Sequence, residues 1–122
     1  MTTIALIAHD AKKQDMVAFI RRFEAALARH RLIATAATGQ LIRDSTGLRV
    51  ETVLSGPQGG DVQIAARVAA GEVDMVIFLR DPLAAQAHEP DIAALLRVCE
   101  VHNVPLATNI AGAQILVSSI DR

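Results

Sequence analysis

Residues 49–79, RVETVLSGPQGGDVQIAARVAAGEVDMVIFL, hold one complete unit of strand, glycine turn, helix and strand. Arg49 to Leu54 reads as a strand, Ser55 to Gly60 as a turn, and about Asp61 to Ala70 as a helix closed by Gly71. Asp74 to Leu79 reads as the next strand, and its run Met75-Val76-Ile77-Phe78-Leu79 has no polar interruption. A strand that is apolar at every position is buried on both faces, which is the condition of a parallel sheet covered by helices.

The same alternation continues in both directions. Thr3 to Ala8 reads as a buried strand, followed by His9-Asp10 and a helix from about Lys12 to His30. In that helix Met16, Phe19, Ile20, Phe23 and Leu27 recur at spacings of three and four and form one apolar face. Leu32 to Ala36 is a second strand, and Thr38-Gly39 opens a short helix ending near Gly47, with Thr38 as its N-cap. Toward the C-terminus, Arg80-Asp81-Pro82 starts a loop that runs to Pro90. A helix follows over about Asp91 to His102, then a short strand Pro105 to Ala107 and a helix Ala111 to Ser118. Right-handed crossovers between such strands give an α/β fold: a single Rossmann-like (flavodoxin-like) doubly wound domain over residues 1–122, with a five-stranded parallel sheet. No repeat, low-complexity tract or linker interrupts it.

Composition narrows the function. Hydrophobic residues make up 52% of the 122, and the 7 glycines lift the apolar share to about 58%, above the usual ~45–50%, so the chain is no disordered segment. The 12 Lys+Arg and 13 Asp+Glu nearly cancel, and only Phe19, Phe23 and Phe78 are aromatic. Neither a basic stripe nor a base-stacking platform is present, which argues against nucleic acid as a partner. Cys99 is the single cysteine and cannot form an internal disulfide. No apolar run reaches the ~18 residues of a membrane span, and the N-terminus lacks the pattern of a signal peptide. A cytoplasmic protein without a membrane partner is expected.

In a doubly wound sheet, ligands bind beyond the carboxyl ends of the strands. Each strand here delivers polar residues at that end: His9, Asp10 and Lys13; Thr35, Thr38 and Gly39; Ser55, Gly56, Gly59, Gly60 and Asp61; Asp81, His88, Glu89 and Asp91; Thr108 and Asn109. Gly56, Gly59 and Gly60 sit where a strand turns into a helix, so backbone N–H groups can approach an anion at a helix N-terminus. The turn is neither G-x-G-x-x-G nor a Walker sequence, which argues against a dinucleotide or a nucleoside triphosphate. Lys13, Ser55 and Thr38 are candidate phosphate ligands. Asp61, Asp10 and Asp91 read equally as first-turn charges or as a crowd of carboxylates raising one another's pKa for proton transfer. His88, flanked by acids and Pro90, reads as an exposed acid or hydrogen-bond donor. His9 and Asp10 lack a well-spaced third partner for a metal, and His30, His102 and Cys99 read as structural.

Taken together, these segments resemble the methylglyoxal synthases. The resemblance is carried by Ile7-Ala8-His9-Asp10 with Lys13, by Thr35-Ala36-Ala37-Thr38-Gly39 and by Leu54-Ser55-Gly56-Pro57-Gln58-Gly59-Gly60-Asp61. Arg80-Asp81-Pro82-Leu83 with His88-Glu89-Pro90-Asp91, and Ala107-Thr108-Asn109, complete it. The resemblance implies a cofactor-free and metal-free lyase that converts dihydroxyacetone phosphate to methylglyoxal and inorganic phosphate, assembled as a homohexamer. It implies Asp61 as proton acceptor and donor, supported by His88, Asp10 and Asp91. Substrate contacts are implied at His9, Lys13, Thr35, Ala36, Ala37, Thr38, Ser55, Gly56 and His88. Ala36-Ala37 stands where the family carries Gly-Thr, so one hydroxyl is missing from the phosphate loop. Many relatives continue past the position of Arg122 and lend an arginine to a neighbouring phosphate site; Arg122 or Arg80 is the candidate substitute. The other readings are a non-catalytic regulatory module for a phosphorylated metabolite and, last, a phosphorelay receiver, whose aspartate and lysine positions hold Ser55 and Thr108 here.

Overall fold

The computed structural model describes residues 1–121. Five strands, β1 (Thr3–Ala8), β2 (Arg31–Ala34), β3 (Glu51–Thr52), β4 (Met75–Leu79) and β5 (Leu106–Ala107), form one parallel sheet in the order β3-β2-β1-β4-β5. This is the Rossmann order, so the sequence of strands reverses between β1 and β4; in the flavodoxin order the reversal would fall between β1 and β3. Among the described residues six helices accompany it: α1 (Lys13–Arg22), α2 (Glu24–Leu27), α3 (Ala36–Ser45), α4 (Gly60–Ala69), α5 (Glu89–Val101) and α6 (Ile110–Ser118), with 3-10 turns at Asp10–Lys12 and Gly56–Gln58.

The apolar strands divide their side chains between two cores, as their period of two requires. Ile4, Leu6 and Ala8 of β1, with Met75, Ile77 and Leu79 of β4, face α1, α3 and α6 through Met16, Ile20, Ile42 and Val117. Ala5, Ile7, Val76 and Phe78 face α4 and α5 through Ile64, Val68, Ile92, Leu95 and Cys99. Burial pushes the Cys99 thiol up to about 11, so it stays protonated as a core residue.

Three elements differ from the sequence expectation. The long helix breaks at Phe23, which leaves the helical region at φ −110 and ψ 20. Its ring packs tilted against Phe19 at 5.2 Å with the Arg22 guanidinium over it at 5.3 Å. The apolar period runs through both pieces and hides the break. The third strand shrinks to Glu51–Thr52 because it is an edge strand, paired only with Ile33 and Ala34 of β2, and the Leu54 N–H is taken by Gln63 Oε1 at 2.8 Å. The helix before Gly47 begins at Thr35 rather than Thr38: Thr35 is the N-cap residue, at φ −65 and ψ 156, and Thr38 lies inside the helix.

Candidate active site

The carboxyl ends of β1, β2 and β3 each end in an extended residue that hands the chain to a helical turn: His9, Thr35 and Ser55. Among the described residues no side chain caps any of these three starts. Uncapped N–H groups at two or more neighbouring helix starts are a ready anion cradle. The Ala36 N–H donates to the Leu54 carbonyl at 3.4 Å and so ties the second of these turns to the glycine turn.

The glycine turn is shaped by backbone contacts that no side chain would allow. Gly59 has φ +105, and a Cβ on Gly60 would lie 1.9 Å from the Leu54 carbonyl oxygen. Gly60 N–H donates to the Ser55 carbonyl at 2.8 Å, which closes the turn. Asp61 then falls in the first turn of α4, turned inward rather than out to solvent.

Asp61 is 1% exposed, and neither carboxylate oxygen accepts a hydrogen bond from the described residues. Its nearest titratable neighbour is His88, whose Nε2 lies 3.5 Å from Asp61 Oδ2. Burial pushes the Asp61 carboxyl above its ordinary 3.8; the proximity of His88 opposes the rise and the charge of Asp91 adds to it. Burial, rather than a crowd of carboxylates, therefore leads. Asp10 takes no part in that rise: its side chain is fully exposed and stands 3.4 Å from Lys13 Nζ.

His88 is 9% exposed, against the exposed loop position expected for it. It occupies the N-cap position of α5, with Glu89-Pro90 opening the helix, and this swings the ring inward over the glycine turn. Its Nδ1 is buried without a partner. A Cβ on Gly56 would lie 3.0 Å from His88 Nε2 and 3.4 Å from Asp61 Oδ1, so the missing side chain leaves open the space beside both groups. His9 completes the cluster. Its ring stands edge-on to Phe78 at 5.1 Å and to His88 at 6.3 Å between centroids. Burial lowers the His9 pKa below 6.5, with His88 and Arg80 adding to the effect, so the ring is neutral near pH 7.

The second half of the rim is hydroxyl and ammonium. Thr38 Oγ1 is buried and accepts the Ala8 N–H at 3.2 Å, and the Thr35 hydroxyl donates to it at 3.4 Å. Lys13 Nζ donates to the Ala8 carbonyl at 2.5 Å. Ala36 and Ala37 are exposed at the mouth of this turn. Arg122 lies outside the described residues. Arg80 lines a cavity of about 340 Å³ with Lys12, Thr108 and Asn109, and its Nε is buried without a partner. Among the described residues no group of three or more His, Cys, Asp or Glu side chains could hold a metal ion, and no helix is long and apolar enough to cross a membrane.

Two contributions were not legible in the sequence. Gln63 holds Leu54, the last residue before the glycine turn, and the Asp81 N–H donates to His9 Nδ1 at 2.8 Å. A backbone donor leaves no mark on residue type, and Gln63 reads as an ordinary helix surface position.

The family model of the MGS-like domain matches residues 15–108. The methylglyoxal synthase of Carboxydothermus hydrogenoformans is 57% identical over 121 residues, 99% of this chain and 100% of that protein. The methylglyoxal synthase of Thermus thermophilus is 60% identical over 120 residues, 98% of this chain and 95% of that one. A crystal structure of methylglyoxal synthase from Elizabethkingia anophelis NUHP1 superposes with a TM-score of 0.90 at 44% identity, over 96% of this chain and 77% of that chain. With nearly the whole chain covered at this identity and the same fold underneath, the chain belongs to the methylglyoxal synthase family.

Proposed function

We propose that this chain, acting as one domain over residues 1–122, eliminates inorganic phosphate from dihydroxyacetone phosphate to give methylglyoxal. The observation that carries the reading is the buried Asp61 carboxylate, free of hydrogen bonds and 3.5 Å from His88, beside an uncapped glycine turn. A carboxylate kept dry and unpaired is a stronger base than one in water, which suits it to take a proton from the hydroxymethyl carbon next to the ketone.

The enediolate so formed carries charge on oxygens that need donors in place beforehand. His88 and His9 supply them. Phosphate then leaves from the other carbon, with the enediolate electrons forming the new double bond. Leaving requires that the C–O bond stand roughly perpendicular to the enediolate plane. Lys13, the hydroxyl of Thr38 oriented by Thr35, the hydroxyl of Ser55, and the N–H groups of Ala37 and Gly56 hold the phosphate in that orientation. The enol product takes a proton at its methylene carbon, returned by Asp61, and becomes methylglyoxal. Asp10 and Asp91 act as supporting carboxylates, Asp10 through its pairing with Lys13 and Asp91 through its charge on Asp61. No cofactor enters this scheme.

Assembly as a cytoplasmic homohexamer belongs to the same proposal; Leu83, Val101 and Ile115, strongly exposed on this chain, supply apolar surface for subunit contacts. The test is a stoichiometric assay with dihydroxyacetone phosphate. Methylglyoxal and phosphate should appear in equal amounts. Phosphate or substrate binding without turnover would overturn the reading in favour of a regulatory module.

A further inference from the structure

We propose that Asp81 is a positioning residue, which fixes His9 in the tautomer that carries its proton on Nε2. The Asp81 N–H donates to His9 Nδ1 at 2.8 Å, so Nδ1 must be the ring's unprotonated nitrogen. A neutral imidazole with an acceptor at Nδ1 holds its single proton at Nε2. That atom, at the far side of the ring, is buried and has no protein partner, so its N–H is available to a substrate oxygen.

The donor is itself held. Asp81 Oδ1 accepts the Leu83 N–H at 3.1 Å across Pro82, a side-chain turn of the kind aspartate forms two residues ahead of its partner. Pro82 has no N–H to compete for that oxygen. The strand ends on either side are pinned as well. His9 N–H donates to the Leu79 carbonyl at 3.1 Å, and Arg80 N–H to the Thr108 carbonyl at 3.4 Å. Phe78 stands edge-on to the His9 ring at 5.1 Å and keeps it from turning over. His9 is thereby a donor and cannot serve as the base, which leaves proton abstraction to Asp61. This inference rests on the proposed reaction only where it assigns His9 to the substrate; the tautomer itself does not depend on it.

The experiment is nitrogen-15 NMR of the histidine rings in the full chain, combined with kinetics on dihydroxyacetone phosphate. Wild type should show His9 as the single Nε2–H tautomer. Asp81→Ala opens the side-chain turn and should give a mixture of tautomers, with kcat reduced about 10–100-fold, the usual effect of losing a group that orients a functional histidine, and KM little changed. Asp81→Asn keeps the accepting oxygen and should restore both the spectrum and kcat. A wild-type His9 protonated on Nδ1 overturns the inference, and this reading needs no variant to fold. A single Nε2–H tautomer persisting in Asp81→Ala also overturns it, as does a mixed tautomer with wild-type kcat. If wild type shows the expected tautomer but produces no methylglyoxal, the proposed reaction fails while the tautomer assignment stands.

Discussion

Gly56→Ala tests the space for the reacting carbon with a single methyl group. The added Cβ would lie 3.0 Å from His88 Nε2 and 3.4 Å from Asp61 Oδ1, inside the space the reacting carbon must enter to reach the carboxylate. His88 and Asp61 are themselves only 3.5 Å apart, so neither can retreat without changing that separation. A displacement of the reacting atom by about 1 Å costs roughly 100-fold in rate, or about 2.7 kcal/mol of barrier. Gly56 does not need a left-handed backbone, so alanine suits its backbone conformation, and the tight contact with His88 makes the substitution destabilising by about 1–3 kcal/mol. The backbone N–H proposed to hold phosphate is retained. Steady-state kinetics on dihydroxyacetone phosphate should therefore show kcat down about 100-fold, while phosphate affinity stays close to wild type and circular dichroism shows the fold retained. A kcat within a few-fold of wild type would refute the reasoning that this space is where the proton is transferred.

Other expectations follow from the same geometry. Asp61→Asn should stabilise the protein at neutral pH, because the amide carries no charge into the buried site. Because the folded carboxyl titrates above its ordinary value, its cost is absent below about pH 4 and grows as pH rises through the folded pKa. Thermal melts of the two proteins should thus diverge with increasing pH; equal melting points at pH 8 would contradict this. Activity should fall on the acid side as Asp61 is protonated, with the limb above the ordinary carboxylate range. Asp91→Asn, which removes a raising charge, should move that limb to lower pH in a pH–kcat/KM profile. Ala37→Thr puts a hydroxyl at an exposed position of the phosphate turn. Gaining a hydrogen bond to a charged group is worth about 1.5–3 kcal/mol, so inhibition by inorganic phosphate should tighten about tenfold or more; an unchanged inhibition constant would show that the missing hydroxyl is not felt.

The fold was legible because its signal is spread over whole strands. Met75 to Leu79 and Ile4 to Ala8 are apolar at every position, and only a sheet covered on both faces can bury both halves of such a run. The break at Phe23 and the shortening of β3 were not legible, since each depends on one residue's neighbours in space rather than on a period. In the site, the grouping of His9, Thr35, Ser55 and Asp61 on one rim came from strand ends. Their states did not. That Asp61 is dry, that Asp10 is solvated beside Lys13, and that His88 turns inward are matters of packing, which residue order alone does not encode. Thr38 shows the difference: it reads as a cap, yet its hydroxyl is inside, tying Ala8 of β1 to α3.

The most direct trial of the whole account compares methylglyoxal formation by wild type and by Asp61→Asn at saturating dihydroxyacetone phosphate. A positioned base contributes about 10²–10⁴-fold to rate, so the amide variant should lose activity in that range and still bind inorganic phosphate. An Asp61→Asn protein turning over within a few-fold of wild type would mean that another group moves the proton.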